Sequence, residues 1–390
     1  MEKPKWNAVL ALTCLATVLT ISHLLPVSLL TPLAQDLQIT EGNAGQTVTS
    51  TTMVAFITSL FIVIVVRNLN RRTLLLWLAF FMMASNLLVA ISPNLPLVLL
   101  ARMLLGVAIG GFWVFNVALA LRLMPAPLVP KALSLIFGGV ALSSLAAPMA
   151  VYLETIIGWR GVFLIVAALG GIAFIWLFLT LPSLPGQARA SLNNLLNLVK
   201  HPQVWPGMLG VILSFTGYLA LFTYLRPLLE TVPGVGVGEL TIILIVFGIA
   251  NVIGTSLAGT LLNWNLNLTL TLAPLVMSLL STTFLMFNQI FLLAALLIVL
   301  WGLVSSAPPL GWSTWLTKTV PDEAESGGSL LFGATQLGVA LGSAVGGVAI
   351  DRSGPLGAVV VSGLILLLCA FVNFYATRSS TAKFNPEQIV

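Results

Sequence analysis

Gly161-Val162-Phe163-Leu164-Ile165-Val166-Ala167-Ala168-Leu169-Gly170-Gly171-Ile172-Ala173-Phe174-Ile175-Trp176-Leu177-Phe178-Leu179 contains no charged, amide or hydroxyl side chain. An apolar run of 18 or more residues crosses a hydrocarbon core of ~30 Å as a helix, because each residue rises ~1.5 Å. The pattern recurs along the chain. Twelve such runs occupy 8–30, 44–66, 73–92, 96–121, 131–153, 160–181, 207–231, 239–262, 268–287, 290–314, 326–350 and 355–376. The sequence therefore predicts an all-α integral membrane protein with twelve transmembrane helices.

Composition agrees. Hydrophobic residues make up 58% of 390 and charged residues 7%, against about 25% charged in soluble domains. The net charge is +5, and its placement explains it. Lys3, Lys5, Arg67, Arg71, Arg72, Arg122, Lys131, Arg189, Lys200, Lys318, Arg378 and Lys383 fall on one side of the predicted topology. Asp36, Glu41, Glu154, Glu230, Glu239 and Asp351 fall on the other. Basic loops stay in the cytoplasm, so both termini are expected there. The excess needs no nucleic-acid partner. The first run is too long for the core of a signal peptide and reads as a retained span. Cys14 and Cys369 both lie inside apolar runs and read as packing residues.

The longest break, 182–206, divides the runs six and six. Ser134-Leu135-Ile136-Phe137-Gly138 and Ser329-Leu330-Leu331-Phe332-Gly333 stand 195 residues apart, half the chain length. The expected organisation is a bundle over 1–181, a cytoplasmic linker over 182–206 and a second bundle over 207–390. Parallel six-helix repeats of this kind build one class of secondary transporter. Proline and glycine concentrate in the fifth, tenth and eleventh runs: Pro148, Pro308-Pro309, and Gly338, Gly342, Gly346 and Gly347. Tight helix packing explains each singly; together they suit helices that rock.

Ionisable groups inside a membrane are costly and mark function by default. His23 and Arg102 are the two that sit well inside the runs. Counting at ~1.5 Å per residue puts each about 9–10 Å from the acidic end of its helix. Arg102, Gly106, Ile109, Trp113 and Asn116 share roughly an 80° arc at ~100° per residue. Tyr218, Phe222 and Arg226 share a similar arc, with Glu230 one turn beyond Arg226. Trp301, Gln336, Asn251 and Ser305 are further polar or amphipathic positions within runs; each also suits a helix–helix hydrogen bond. A flat aromatic beside an amide fits a small planar solute. No paired-carboxylate site, Cys/His metal spacing or phosphate-binding glycine loop is present, so neither enzyme chemistry, a metal nor a cofactor is expected.

These residues carry a resemblance. Leu24-Leu25-Pro26-Val27-Ser28-Leu29-Leu30, Arg102-Met103-Leu104-Leu105-Gly106, Ala147-Pro148, Gly158-Trp159-Arg160 and Thr223-Tyr224-Leu225-Arg226-Pro227 resemble motifs of the major facilitator superfamily. Within it they are most similar to the drug:proton antiporter group. The likeness covers essentially the whole chain and implies two pseudo-symmetric six-helix bundles. It also implies a monomeric exporter, most similar to exporters of purine nucleosides or bases, with a proton as the candidate coupling ion. Two positions depart from the family pattern. The loop Arg67-Asn68-Leu69-Asn70-Arg71-Arg72 keeps its basic residues without the family's Asp, and His23 stands where the family carries an acidic residue. The resemblance links Arg102 to proton coupling, and His23, at similar depth, is read together with it as the proton-coupling pair. The substrate candidates are His23, Trp113, Asn116, Tyr218, Phe222, Arg226, Trp301 and Gln336. Export of sugars or hydrophobic drugs, and a non-transporting receptor or scaffold, are the alternatives.

Overall fold

A computed structural model describes residues 5–125, 128–143, 146–185, 204–319 and 324–381. These residues form fifteen helices and no strand. In chain order they are α1 Trp6–Ser28, α2 Leu30–Asp36, α3 Glu41–Val65, α4 Arg71–Ile91, α5 Leu95–Leu123, α6 Val129–Ser143, α7 Ala146–Thr180, α8 Val204–Phe222, α9 Leu225–Glu230, α10 Val237–Trp264, α11 Leu266–Phe287, α12 Phe291–Ser305, α13 Ala307–Thr319, α14 Ala324–Ser353 and α15 Pro355–Thr381. Ten segments of the described residues are long and apolar enough to cross a membrane. With α3 and the α6–α7 segment they match the twelve runs. Most of the expected linker, 186–203, lies outside the described residues.

The buried apolar side chains separate into two bundles. The largest cluster comes almost wholly from residues 8–184, and the next from residues 221–366 together with Val151. Between the bundles, α3 packs along α14 and α7 touches α10.

Several runs that read as single helices are broken, and proline accounts for where. The first run divides at Leu29 into α1 and α2, and the seventh divides at Tyr224 into α8 and α9. Pro32 and Pro227 each stand third in the short helix that follows. Proline lacks an N–H and is tolerated in a helix's first turn, where none is needed. The tenth run breaks at Ser306, with Pro308 and Pro309 in the first turn of α13. The bend between the fifth and sixth runs is Gly158, whose φ of 71° suits glycine.

The internal repeat extends far beyond the pentapeptide. Leu29 and Tyr224 are 195 residues apart, as are Pro32 and Pro227. Asn70 and Asn265, also 195 apart, cap α4 and α11 by accepting from Arg72 N and Leu268 N. The glycines of α14 answer the question the sequence left open. Added Cβ atoms at Gly338, Gly342 and Gly346 would meet the carbonyls of Ile212, Thr216 and Ala220 at 2.5–2.7 Å. Four-residue spacing on both helices makes this a backbone-to-backbone seam between α14 and α8.

Candidate functional site

The acidic ends of the helices are sewn together. Among the described residues, six hydrogen bonds join the two bundles there. Arg226, only 6% exposed, sits at the centre. Its Nε donates to Glu230 at 2.8 Å, Nη1 to the Ser28 carbonyl at 2.7 Å, and Nη2 to Glu154 at 3.3 Å. Thr31 donates to Glu230 at 2.8 Å. Asp351 accepts from Thr40 Oγ1 and Gly42 N at 2.9 and 3.0 Å, and Thr49 and Ser343 share a bond of 2.8 Å. Tyr224, fully buried, donates to the Ser343 carbonyl at 2.7 Å with its ring lying over Gly45. Guanidinium–carboxylate bonds are the strong ones in such a set. The i,i+4 pair Arg226–Glu230 is thus tied into contacts between the two bundles.

Immediately beneath lies a cavity of about 150 Å³. Ser28 and Arg226 line it, with Leu24, Tyr218, Phe222, Phe247 and Asn251 among its walls. Tyr218 stacks on Phe222 at 5.1 Å and on Trp301 at 5.2 Å, with interplanar angles of 16° and 13°. Phe247 closes the group at 5.8 Å from Phe222 and 6.4 Å from Trp301. Three of these four near-parallel rings, Tyr218, Phe222 and Phe247, line one small space, with Trp301 stacked behind Tyr218. That suits a flat ring, since offset stacking of aromatic faces is favourable. The volume is below the ~300–1,000 Å³ of whole-ligand sites, so it holds one ring of a ligand and not the rest.

Of the sequence candidates, Tyr218, Phe222 and Arg226 line this space and Trp301 backs it. His23 adjoins it through Leu24, and its Nδ1 is enclosed without a hydrogen-bond partner. Arg102, Trp113, Asn116 and Gln336 do not line it. Arg102 is fully buried and donates to the carbonyls of Ser22 at 2.8 Å and His23 at 3.5 Å; its Nε is unpartnered. It makes no ion pair among the described residues. Trp113 stacks on Phe137 at 5.9 Å. Asn116 Oδ1 and Gln336 Nε2 are buried and unpartnered. The presumed stripe on α5 is divided by α3, whose Thr51 carbonyl faces Gly106. Sequence reasoning missed Phe247 and Glu154 as site residues. Leu244, Phe247 and Asn251 recur at i, i+3 and i+7 on α10, the signal that could have found one face.

Comparison with known proteins follows the same lines. The sequence model of the family described as Major Facilitator Superfamily matches residues 10–279. The chain is 42% identical over 374 residues to the protein named Purine ribonucleoside efflux pump NepI of Salmonella enteritidis PT4 (strain P125109), covering 95% of this chain and 94% of that one. The same figures hold for its namesake in Salmonella typhimurium (strain LT2). Among solved structures, a bacterial homolog of the human lysosomal transporter Spinster, inward-facing and unoccupied, aligns with a TM-score of 0.80. It is 16% identical and covers 99% of this chain and 100% of its own. The xylose transporter XylE from E. coli, partially occluded and inward-open, gives 0.74 at 15% identity, covering 95% and 97%. At these identities the structures speak for the fold alone.

Proposed function

Because the chain belongs to the major facilitator superfamily, we propose that it exports purine nucleosides or their bases across a bacterial inner membrane by alternating access. The observation that carries the reading is the 42% identity, over nearly the full length of both chains, to relatives named as purine ribonucleoside efflux pumps. The ring-lined cavity gives it a physical basis. A purine stacks against Phe222 and Phe247 while its sugar extends toward the helices of the first bundle.

In this reading the acidic ends face outward and both termini lie in the cytoplasm, as the distribution of lysine and arginine supports. The sewn acidic ends are then the closed outer gate, and the solute enters from within. Segments 1–181 and 207–390 rock about the linker 182–206. His23 and Arg102 set the proton dependence. The guanidinium of Arg102 is held by the backbone carbonyls of Ser22 and His23 without a carboxylate, which places a cation directly beside His23.

The test is direct. Proteoliposomes containing the purified protein should exchange inosine or adenosine across the bilayer well above empty vesicles, and unlabelled purine nucleosides should compete where arabinose and lipophilic drugs do not. Flux no greater than in empty vesicles would refute the assignment.

A further inference from the structure

Asn251 is the cavity's one side-chain amide. Its Nδ2 donates to the Gly302 carbonyl at 3.2 Å and to Ser305 Oγ at 3.3 Å, tying α10 to α12. The amide cannot be turned over. A carbonyl oxygen only accepts, so Gly302 O requires the NH₂ side. Ser305 spends its own proton on the same carbonyl at 2.8 Å, so its Oγ also needs a donor from Asn251. Among the described residues no protein donor reaches Asn251 Oδ1. Unlike Asn86 and Asn116, whose Oδ1 atoms are sealed in, Asn251 Oδ1 is not among the buried unpartnered atoms.

The cavity therefore presents a fixed acceptor beside a stack of rings. We propose that Asn251 is a specificity-determining residue, whose Oδ1 accepts an N–H from the edge of a base stacked on Phe222 and Phe247. This deepens the purine reading above and rests on it. It selects purines with a donor on the six-membered ring, the lactam N1–H of a 6-oxopurine or the amino group of a 6-aminopurine. A purine with hydrogen at C6 and a bare N1 offers none. Its N1 lone pair would face Oδ1, two acceptors together.

The experiment compares inosine with purine riboside, which has the same sugar and ring system without the N–H. Counterflow is measured with the full-length protein in liposomes. Wild type should favour inosine by roughly five-fold in kcat/KM, the worth of one neutral hydrogen bond. Asn251→Leu, close in volume, should bring the ratio to about one, chiefly by loss of inosine transport. Asn251→Ser, too short to reach the base and without an added apolar face, should do the same and serves if the leucine variant fails to insert. Equal transport of the two nucleosides by wild type would overturn the assignment, as would an inosine preference that survives both substitutions. Wild type moving neither nucleoside would instead remove the purine reading on which the assignment stands.

Discussion

Gly45→Ala is the smallest change that should open the acidic ends. Gly45 lies on α3, and a Cβ there would sit 2.5 Å from Tyr224 Cζ and 2.8 Å from Cε1. Carbon contacts are comfortable at ~3.5–4.0 Å. The ring cannot give way freely, because Tyr224 is fully buried and its hydroxyl is anchored on the Ser343 carbonyl. Forcing a methyl into such packing costs roughly 1–3 kcal/mol, and losing the anchor adds about 1 kcal/mol. Alanine is the better helix former by up to about 1 kcal/mol, but that gain accrues to α3 in the open and closed states alike. The net effect is about 2–4 kcal/mol against closure, and since 1.4 kcal/mol is tenfold, the closed-to-open ratio falls by about thirtyfold or more. The readout is labelling of Leu24→Cys, a cavity residue just under the closure, in a Cys14→Ser, Cys369→Ser background. A membrane-impermeant maleimide applied from the acidic side should react at least about tenfold faster in the Gly45→Ala protein. Equal rates would refute the claim that Tyr224 locks against Gly45.

The same labelling assay orders the Arg226 variants. Arg226→Gln should weaken closure by about 2 kcal/mol, less than a wholly buried pair because its carboxylate partners are partly exposed. Arg226→Lys should fall between, keeping the charge without the planar fork; three equal rates would dismiss the latch. Glu41 lies just outside the run 44–66, where burial and then the charges of Glu230 and Asp351 hold its carboxyl above the usual carboxylate range. A carboxyl raised in the closed state favours closure when protonated. That favour is full below its ordinary pKa and disappears as pH rises through the raised one, leaving an ionised group that opposes closure at neutral pH. Glu41→Gln should therefore slow acid-side labelling at neutral pH and flatten its dependence in the mildly acidic range; a steeper dependence would contradict this. His23→Gln should flatten the pH profile of transport near neutrality, and an unchanged profile would take His23 out of the mechanism.

The bundles were legible because lipid enforces them: every backbone polar group must be satisfied within its helix, so apolar length maps onto structure. The breaks were less legible. Pro26, Pro32 and Pro227 are visible in sequence, but whether a proline kinks a helix or starts a new one depends on which carbonyls find other partners. The site was half legible. Tyr218 and Phe222 share a face of α8 and Arg226 follows on α9 just past the break, so local spacing suffices to group them. Phe247 and Asn251 belong to a different helix, and only the packing of α10 on α12 turns them toward the same space. Helical spacing placed Arg102 and Asn116 on one face of α5, yet could not reveal that α3 covers part of it.

The repeat explains why the two bundles differ in chemistry at one level of the membrane. Tyr218 stands 195 residues after His23, so the two occupy the same register in their bundles. At that level, the first bundle places His23 beside a buried guanidinium that donates to its carbonyl. The second places Tyr218 in a stack with Trp301. At that level the duplicated scaffold thus carries different groups: a histidine beside a guanidinium in the first bundle, and stacked rings in the second. In the proposed proton-coupled export each bundle alone would hold only one of the two sets, so coupling would act through movement of the bundles against each other. The closure bonds at Arg226, Thr31, Thr49 and Asp351 are made between the two bundles, which is where that movement has to act.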